Sequence, residues 1–372
     1  MKILFTGGGT GGHVFPIIAI AREIQKASQG NIELLYLGPK DEFAMLLLPE
    51  EGIRVRTIFA GKMRRGFSPV NIILNILDFF KFFLGCFQAF FWVFIESPDL
   101  IFSKGGYGSL PVVISGKILQ TPIFLHESDI VPGLSNRISG KMALEIFISF
   151  PKTEYFKPEK MILVGNPIRK ELLEGSKEYA RELFRLSCKK PVLLILGGSQ
   201  GAKRINDLVL LILPELLQSF EVIHQVGIKN FNEVEAESKV VIKKGLEKDY
   251  HIFPFLRENQ EKESLAIADI VVSRAGAGFL FEIAAAGLPS ILIPLPEAAQ
   301  GHQVSNAYAY AQKGAALVME ETNLTPHFFL ERLKLLISRP EVLAKMRQRA
   351  KEFARPHAAR IVANYLLEYL GS

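Results

Sequence analysis

Apolar and polar positions along this chain follow two periods in turn. Residues 2–6 (KILFT) form a short apolar run, and apolar positions then recur at helical spacing over 14–28 (Ile17, Ala21, Ile24). That pattern predicts a strand, a glycine-rich turn and a helix, with Pro16 in the helix's first turn. IELLYLG at 32–38 predicts the next strand and completes a βαβ unit. Further strands are predicted at 54–60 (RVRTIFA), 99–104 (DLIFSK) and 121–127 (TPIFLHE), with helical patterns between them. Strands alternating with helices imply a parallel sheet covered by helices on both faces. The pattern then restarts: KPVLLILGGSQGAKRINDLVLLILPELL at 190–217 is again strand, glycine turn and helix. EVIHQVG, HIFPFL, DIVVSRAGAG and SILIPL continue the series. The expected class is α/β, with two Rossmann-like domains in tandem. Their boundary is expected near 150–158 or just after GNPIR at 165–169, and a basic helical tail covers about 341 to 370.

One stretch breaks the pattern. NIILNILDFFKFFLGCFQAFFWVFIES, at 71–97, is apolar on nearly every side and holds the only tryptophan, Trp92. A transmembrane helix needs about 20 apolar residues, but Asp78 and Lys81 interrupt this one and Glu96 ends it. Lys62, Arg64 and Arg65 precede it. Cations beside an aromatic, apolar helix suit docking on an anionic bilayer surface. The competing reading is a helix buried under the first sheet.

Composition adds limits. A chain of 372 residues is long enough for two domains. Cys86 and Cys188 provide neither a disulfide scaffold nor a metal-site spacing. No secretory signal pattern opens the chain, so a reducing, cytoplasmic compartment is expected. The formal net charge of +6 favours anionic partners such as phosphorylated substrates or anionic lipid. The basic residues are scattered and lack interleaved aromatics, which argues against nucleic acid.

The chemistry concentrates in the glycine turns. Gly7, Gly9 and Gly12 satisfy G-x-G-x-x-G between a strand and a helix. Glycine lets backbone approach a ligand, and a helix N-terminus attracts phosphate. A dinucleotide site would want an acid at the end of the second strand, where this chain has Gly38, and no GK[ST] completes a P-loop. GGYGS at 105–109, GGSQGA at 197–202 and RAGAG at 274–278 occupy equivalent strand-to-helix turns. Four such turns, two in each half, predict an anion site between the domains, in a cleft that the two sheets face.

His13 follows the first turn and is a candidate general base, with a structural helix-start role as the alternative. Glu127, ending a strand in LHES, is a second candidate base or a substrate ligand. Glu282 falls in the first turns of a helix, where it could accept two sugar hydroxyls. His302 and Gln303 suggest sugar recognition just beyond a strand. No Ser-His-Asp order, H-E-x-x-H, C-x-x-C or D-x-D is present, so neither a metal nor another cofactor is expected. Helix N-termini and backbone amides would carry the phosphate charge.

Taken in order, GGGTGGHVFP (7–16), GGYGSLP (105–111), HESDIVPGLSNR (126–137), GNPIR, GGSQGA, SRAGAGFLFEIAAAGLP (273–289) and HQVSNA (302–307) resemble the MurG family of peptidoglycan N-acetylglucosaminyltransferases. The resemblance spans nearly the whole chain. It implies a GT-B fold, with an N-terminal acceptor and membrane domain at 1–165. A C-terminal helix at about 347–372 would pack back on that domain, and a UDP-GlcNAc domain would occupy 166–346. It implies inverting transfer of N-acetylglucosamine from UDP-GlcNAc to the C4 hydroxyl of the muramyl sugar of lipid I, making lipid II.

The resemblance also implies site residues. Arg169, Ser199, Leu256, Ala277, Gly278, Phe279, Leu280, Phe281, Glu282 and Gln303 match donor-binding positions, Glu282 on the ribose hydroxyls. Thr10, Gly11, Gly12 and Asp129 do so from the N-terminal half. Gly9, Gly105, Gly106, Tyr107 and Ser109 would meet the acceptor diphosphate beside His13. Residues 62–95 would meet an anionic membrane, placing the enzyme peripherally on its cytoplasmic face, within a cell-wall synthesis complex. Two departures stand out. Asp129 replaces a common asparagine, and a carboxylate beside a diphosphate weakens binding unless it turns away or meets a cation. Phe279 replaces a common threonine hydroxyl. A UDP-sugar 2-epimerase on the same fold, or a non-catalytic binder of lipid-linked sugars, are the alternative functions.

Overall fold

A computed structural model describes residues 1–8, 11–62, 68–151, 153–187, 189–198 and 201–371. The chain forms two compact units, Met1–Arg169 with Pro356–Ser372, and Lys170–Arg355.

The first unit is built on a parallel sheet of seven strands: β1 (Lys2–Thr6), β2 (Glu33–Gly38), β3 (Arg54–Thr57), β4 (Leu100–Ser103), β5 (Ile123–Glu127), β6 (Glu145–Ile148) and β7 (Met161–Leu163). Their spatial order is β3-β2-β1-β4-β5-β6-β7. Side chains alternate across a strand, so β1 serves two cores. Ile3 and Phe5 pack with Ile17, Ile20 and Ile24 of α1 (Gly11–Ser28). Leu4 points the other way, into a core with Val112 and Val113 of α4 and with Ala89 and Val93 of α3. Burial on both faces explains why these strands read as unbroken apolar runs. The remaining helices are α2 (Glu42–Glu50), α3 (Pro69–Glu96), α4 (Leu110–Ile118) and α5 (Leu134–Met142). Helix α1 begins at Gly11, earlier than the apolar period predicts, because its opening glycines have no side chains to show the period. Pro16 therefore sits inside the helix rather than in its first turn.

The second unit has six parallel strands: β8 (Val192–Leu196), β9 (Glu221–Gln225), β10 (Tyr250–Phe253), β11 (Ile270–Ser273), β12 (Ser290–Leu292) and β13 (Ala316–Val318). They are ordered β10-β9-β8-β11-β12-β13. Its helices are α6 (Lys177–Leu183), α7 (Lys203–Ser219), α8 (Phe231–Val241), α9 (Glu258–Ile267), α10 (Ala277–Ala285), α11 (His302–Ala311), α12 (Pro326–Ile337) and α13 (Pro340–Phe353). One boundary expectation shifts and one is refined. The return to the first unit comes at Pro356, not at about 347, because residue 347 lies within α13. That helix belongs to the second unit: Arg347 donates to the Asp269 carbonyl at 3.0 Å, and Phe353 packs on Phe281 of α10. The first crossing follows Arg169, just after GNPIR as the pattern allowed and four residues beyond 165; Arg169 stacks its guanidinium over Phe15 of α1, 4.2 Å from the ring centre. After the return, α14 (Ala358–Gly371) lays Val362 and Leu366 into the α1 core.

Helix α3 inverts the usual soluble pattern. Its inner face carries Asp78, Gly85, Ala89, Val93 and Glu96, all buried. Its outer face exposes Ile73, Phe80, Phe83, Phe87, Phe91 and Phe94 among others, Phe87 at 76%. The segment before it crosses the inner face so closely that a Cβ on Gly85 would stand 1.9 Å from the Phe59 carbonyl oxygen.

Candidate active site

In the first unit the strand order reverses between β1 and β4, which opens a crevice at the carboxyl ends of those strands. The turns after β1 and β4 meet there. Gly105 and Gly106 hold φ of +87° and +86°, a region that glycine alone occupies easily. A Cβ on Gly106 would lie 2.7 Å from the Gly8 carbonyl oxygen and 3.0 Å from His13 Nε2. The turns are thus in contact through bare backbone, with the half-buried imidazole of His13 seated against Gly106. The Tyr36 hydroxyl fixes the first turn by donating to the Gly7 carbonyl at 2.8 Å.

Glu127 closes β5 beside this junction. It is 3% exposed, so it is not a solvated loop carboxylate. Its Oε1 accepts from the Asp129 N–H at 2.8 Å and its Oε2 accepts from Asn136 Nδ2 at 2.7 Å. Asn136 Oδ1 in turn accepts from the Gly106 N–H at 3.3 Å. Ser109 and Ser135 donate their hydroxyls to the Gly106 carbonyl at 2.9 and 2.7 Å. One carboxylate therefore props the glycine turn that touches His13. Burial, then the Asp129 charge, raise the Glu127 carboxyl to about 7. Lys104 ends the buried LIFSK run and is 2% exposed. Its ammonium donates to Ser128 Oγ, which donates to Asn166 Oδ1 at 3.1 Å. Burial lowers Lys104 to about 8, and the Glu127 and Asp129 charges act against that fall. His126 is also buried, with its Nε2 2.9 Å from the Gly165 carbonyl oxygen; burial first, and Lys104 second, depress its pKa strongly.

The second unit repeats the arrangement between β8 and β11. Gly198 and Gly201 have φ of +81° and +76°, and the Phe279 ring lies 3.7 Å from where a Gly198 Cβ would stand. Among the described residues, nothing lies within 4 Å of a Cβ built on Gly276 or Gly278, so the mouth of α10 presents open backbone. Glu282 is buried on α10. Several expected donor positions offer main chain only. The side chains of Leu256, Leu280 and Phe281 are packed in the core, with exposures of 0%, 0% and 2%. Gln303 Oε1 accepts from the Leu295 N–H at 3.0 Å, which holds the turn after β12. Gly9, Thr10 and Ser199 lie outside the described residues, as do Arg64 and Arg65.

Sequence reasoning missed Lys104 and Asn136, and also an ion-pair chain beside the second glycine turn. Arg204 reaches Glu297 at 2.8 Å and Glu321 at 2.6 Å, and Glu321 also pairs with Arg274. Asn136 lies within HESDIVPGLSN, and the one visible signal was its place in a polar loop after a strand end.

Two parallel α/β units, each with glycine-opened helices at its switch point, define the GT-B class. Family models for the glycosyltransferase family 28 N-terminal and C-terminal domains match residues 3–148 and 192–361. A Clostridium kluyveri protein is 37% identical over 367 residues, 98% of this chain and 99% of that one. A Bacillus cereus protein is 39% identical over 326 residues, 87% and 88% of the two chains. Both are named UDP-N-acetylglucosamine–N-acetylmuramyl-(pentapeptide) pyrophosphoryl-undecaprenol N-acetylglucosamine transferase. The crystal structure of Acinetobacter baumannii MurG aligns with TM-score 0.71 at 25% identity, covering 99% of each chain. A UDP-GlcNAc 2-epimerase from Neisseria meningitidis, at 14% identity and TM-score 0.67, shares the fold alone. The chain belongs to the MurG family of glycosyltransferase family 28.

Proposed function

We propose that this protein transfers N-acetylglucosamine from UDP-GlcNAc to the C4 hydroxyl of the muramyl sugar of lipid I, with inversion, to give lipid II for peptidoglycan synthesis. The substrates follow from the names of the full-length relatives. The observation that carries the mechanism is His13 seated against Gly106, where two glycine turns meet.

His13 is the base. It is half-buried in the first turn of α1 and faces the junction, whereas both Glu127 oxygens are already engaged below the surface. The imidazole takes the C4 hydroxyl proton as that oxygen attacks the anomeric carbon. The bond to the diphosphate oxygen breaks on the opposite side, and its electron pair leaves with UDP. UDP leaves readily, so the remaining requirement is to stabilise charge growing on phosphate, which oriented N–H groups at a helix start do without reorganising. The mouth of α10 serves the donor diphosphate, Glu282 the ribose hydroxyls, and the turns at 7–12 and 105–109 the acceptor diphosphate. Glu127 acts through Asn136 to position Gly106. Backbone amides supply the counter-charge, so transfer proceeds without an added divalent cation.

Helix α3 places the enzyme. Its exposed phenylalanines and the neighbouring Lys62 and Lys81 suit the anionic cytoplasmic face of the membrane, which the helix lies on rather than crosses. Its inner face is packed against α4 and the segment at 59–61.

Radiolabel transfer from UDP-GlcNAc to a short-chain lipid I analogue, in EDTA and in magnesium, tests the reading. Labelled lipid II in both buffers is expected. His13→Ala should lower kcat by roughly 10²–10⁴-fold while UDP-GlcNAc still binds; unchanged turnover would remove His13 as base. Release of UDP-N-acetylmannosamine with no lipid product would replace the transferase with a 2-epimerase.

A further inference from the structure

Two carboxylates, Glu127 and Asp129, lie at the β4–β5 edge beside the N-terminal glycine turns, where the proposed reaction places an anion. Resting on the transfer reaction proposed above, we propose that Lys104 is a positioning residue, an internal counter-cation for the Glu127 and Asp129 carboxylates that keeps the glycine turns attractive to a pyrophosphate.

Geometry carries this assignment. Lys104 immediately precedes the Gly105–Gly106 pair, and its backbone N–H donates to the Thr6 carbonyl at 2.7 Å, which ties the end of β4 to β1. A Cβ on Gly7 would stand 3.3 Å from Lys104 Cβ, so the lysine stem starts between the two glycine turns. From there it runs inward to Ser128, the residue between the two acids. Ser128 is held from behind by Asn166, so the ammonium has a fixed seat. A lysine is almost never fully buried without an anionic partner. Here the acids whose charges act on Lys104 are Glu127 and Asp129, which flank Ser128 in the chain and would otherwise oppose the substrate.

The groups facing Glu127 set the sign of the pH response. Asp129 comes from its own loop and Lys104 from the turn after β4, whereas His126, the preceding residue of β5, projects to the other face of the sheet. His13 lies on the far side of Gly106, and from α5 the Asn136 amide reaches Glu127. Glu127 props Gly106 best when ionised, because it then accepts both of its hydrogen bonds. Activity should therefore rise with pH through an acid limb near the Glu127 titration. Removing the Asp129 charge favours ionisation and moves that limb to lower pH. Removing the Lys104 charge moves it to higher pH.

The test compares Lys104→Met, Asp129→Asn and the double variant in the full-length protein, measuring kcat and KM for UDP-GlcNAc and for the lipid I analogue from pH 5.5 to 9. Lys104→Met is expected to raise the KM of a phosphorylated substrate by roughly 10- to 30-fold, the scale of one uncompensated charge acting over several ångströms. Its acid limb should rise by about one unit. Asp129→Asn should lower the limb, and adding it to Lys104→Met should recover most of the lost KM. A KM in Lys104→Met equal to wild type, or a double variant no better than the single, would overturn the proposal. If Lys104→Met does not fold, Lys104→Gln, which keeps a donor for Ser128 but not the charge, takes its place and is read by the same KM and acid-limb outcomes. A wild-type protein that makes no lipid II would instead refute the transferase reading, so the two failures are distinct.

Discussion

Gly106 is where backbone conformation and chemistry meet most tightly. It combines a left-handed φ of +86° with a Cβ position 2.7 Å from one carbonyl oxygen and 3.0 Å from the His13 ring. Gly106→Ala would therefore strain the turn and push His13 aside together. A stability loss of about 1–3 kcal/mol is expected from the strained backbone, read as a lowered urea midpoint. Transfer should fall much further than that loss accounts for, by roughly 10²-fold, as expected when a reacting group is displaced by about 1 Å. A variant that is less stable yet fully active would separate the turn from the reaction. His13, Glu127 and the glycines were legible in the sequence because each stands at a strand end or helix start, a position that local pattern exposes. Lys104 and Asn136 were not. A lysine after LIFS reads as a solvated strand end, and only the adjacency of β4 and β5 carries it beneath Ser128. Asn136 shows its role only once α5 is placed against the Gly105–Gly106 turn.

At the scale of one element, α3 shows how much composition can announce and what it leaves open. Its apolar, aromatic character was evident along 71–97, and so was the tension between core and membrane surface. Which residues face inward depends on the neighbouring chain. The narrow inner stripe runs through Asp78, Gly85, Ala89 and Val93, because only small side chains let the 59–61 segment cross; Gly61 and Gly85 both lack room for a Cβ. The bulky phenylalanines are left outside by default. This division predicts two separable effects. Phe87→Ser with Phe94→Ser removes large exposed side chains, 76% and 68% accessible. Each buried aromatic contributes roughly 1.5–3 kcal/mol when taken from water. The pair should therefore weaken flotation with phosphatidylglycerol vesicles by at least tenfold while leaving the urea midpoint unchanged or raised. Gly85→Val should do the reverse, lowering the midpoint through its clash with the Phe59 carbonyl. Undiminished flotation in the double serine variant would show that the helix is not the membrane surface.

At the scale of the whole molecule, the repeat of strand, glycine turn and helix at residue 190 already divided the chain in two. Its last crossing was obscured because α13 and α14 are both amphipathic helices of similar length, and periodicity alone does not say which sheet each one covers. The two units have separate cores, one around Phe5, Phe102 and Phe124 and the other around Leu213, Leu216 and Val272. Separate cores permit separate melting transitions, since a multidomain chain need not unfold in one step. Leu213 is fully buried in the second core, so Leu213→Ala should cost about 2–5 kcal/mol there and lower the transition of Lys170–Arg355 specifically. That shift labels the unit in a calorimetric scan. UDP, if held at the mouth of α10, stabilises only the state that binds it, by about 2.7 kcal/mol at a hundredfold excess over Kd. It should raise the same transition that Leu213→Ala lowers. A UDP-dependent rise confined to the other transition would move the donor diphosphate to the turns around His13, and the roles assigned to the two glycine-opened sites would have to be exchanged.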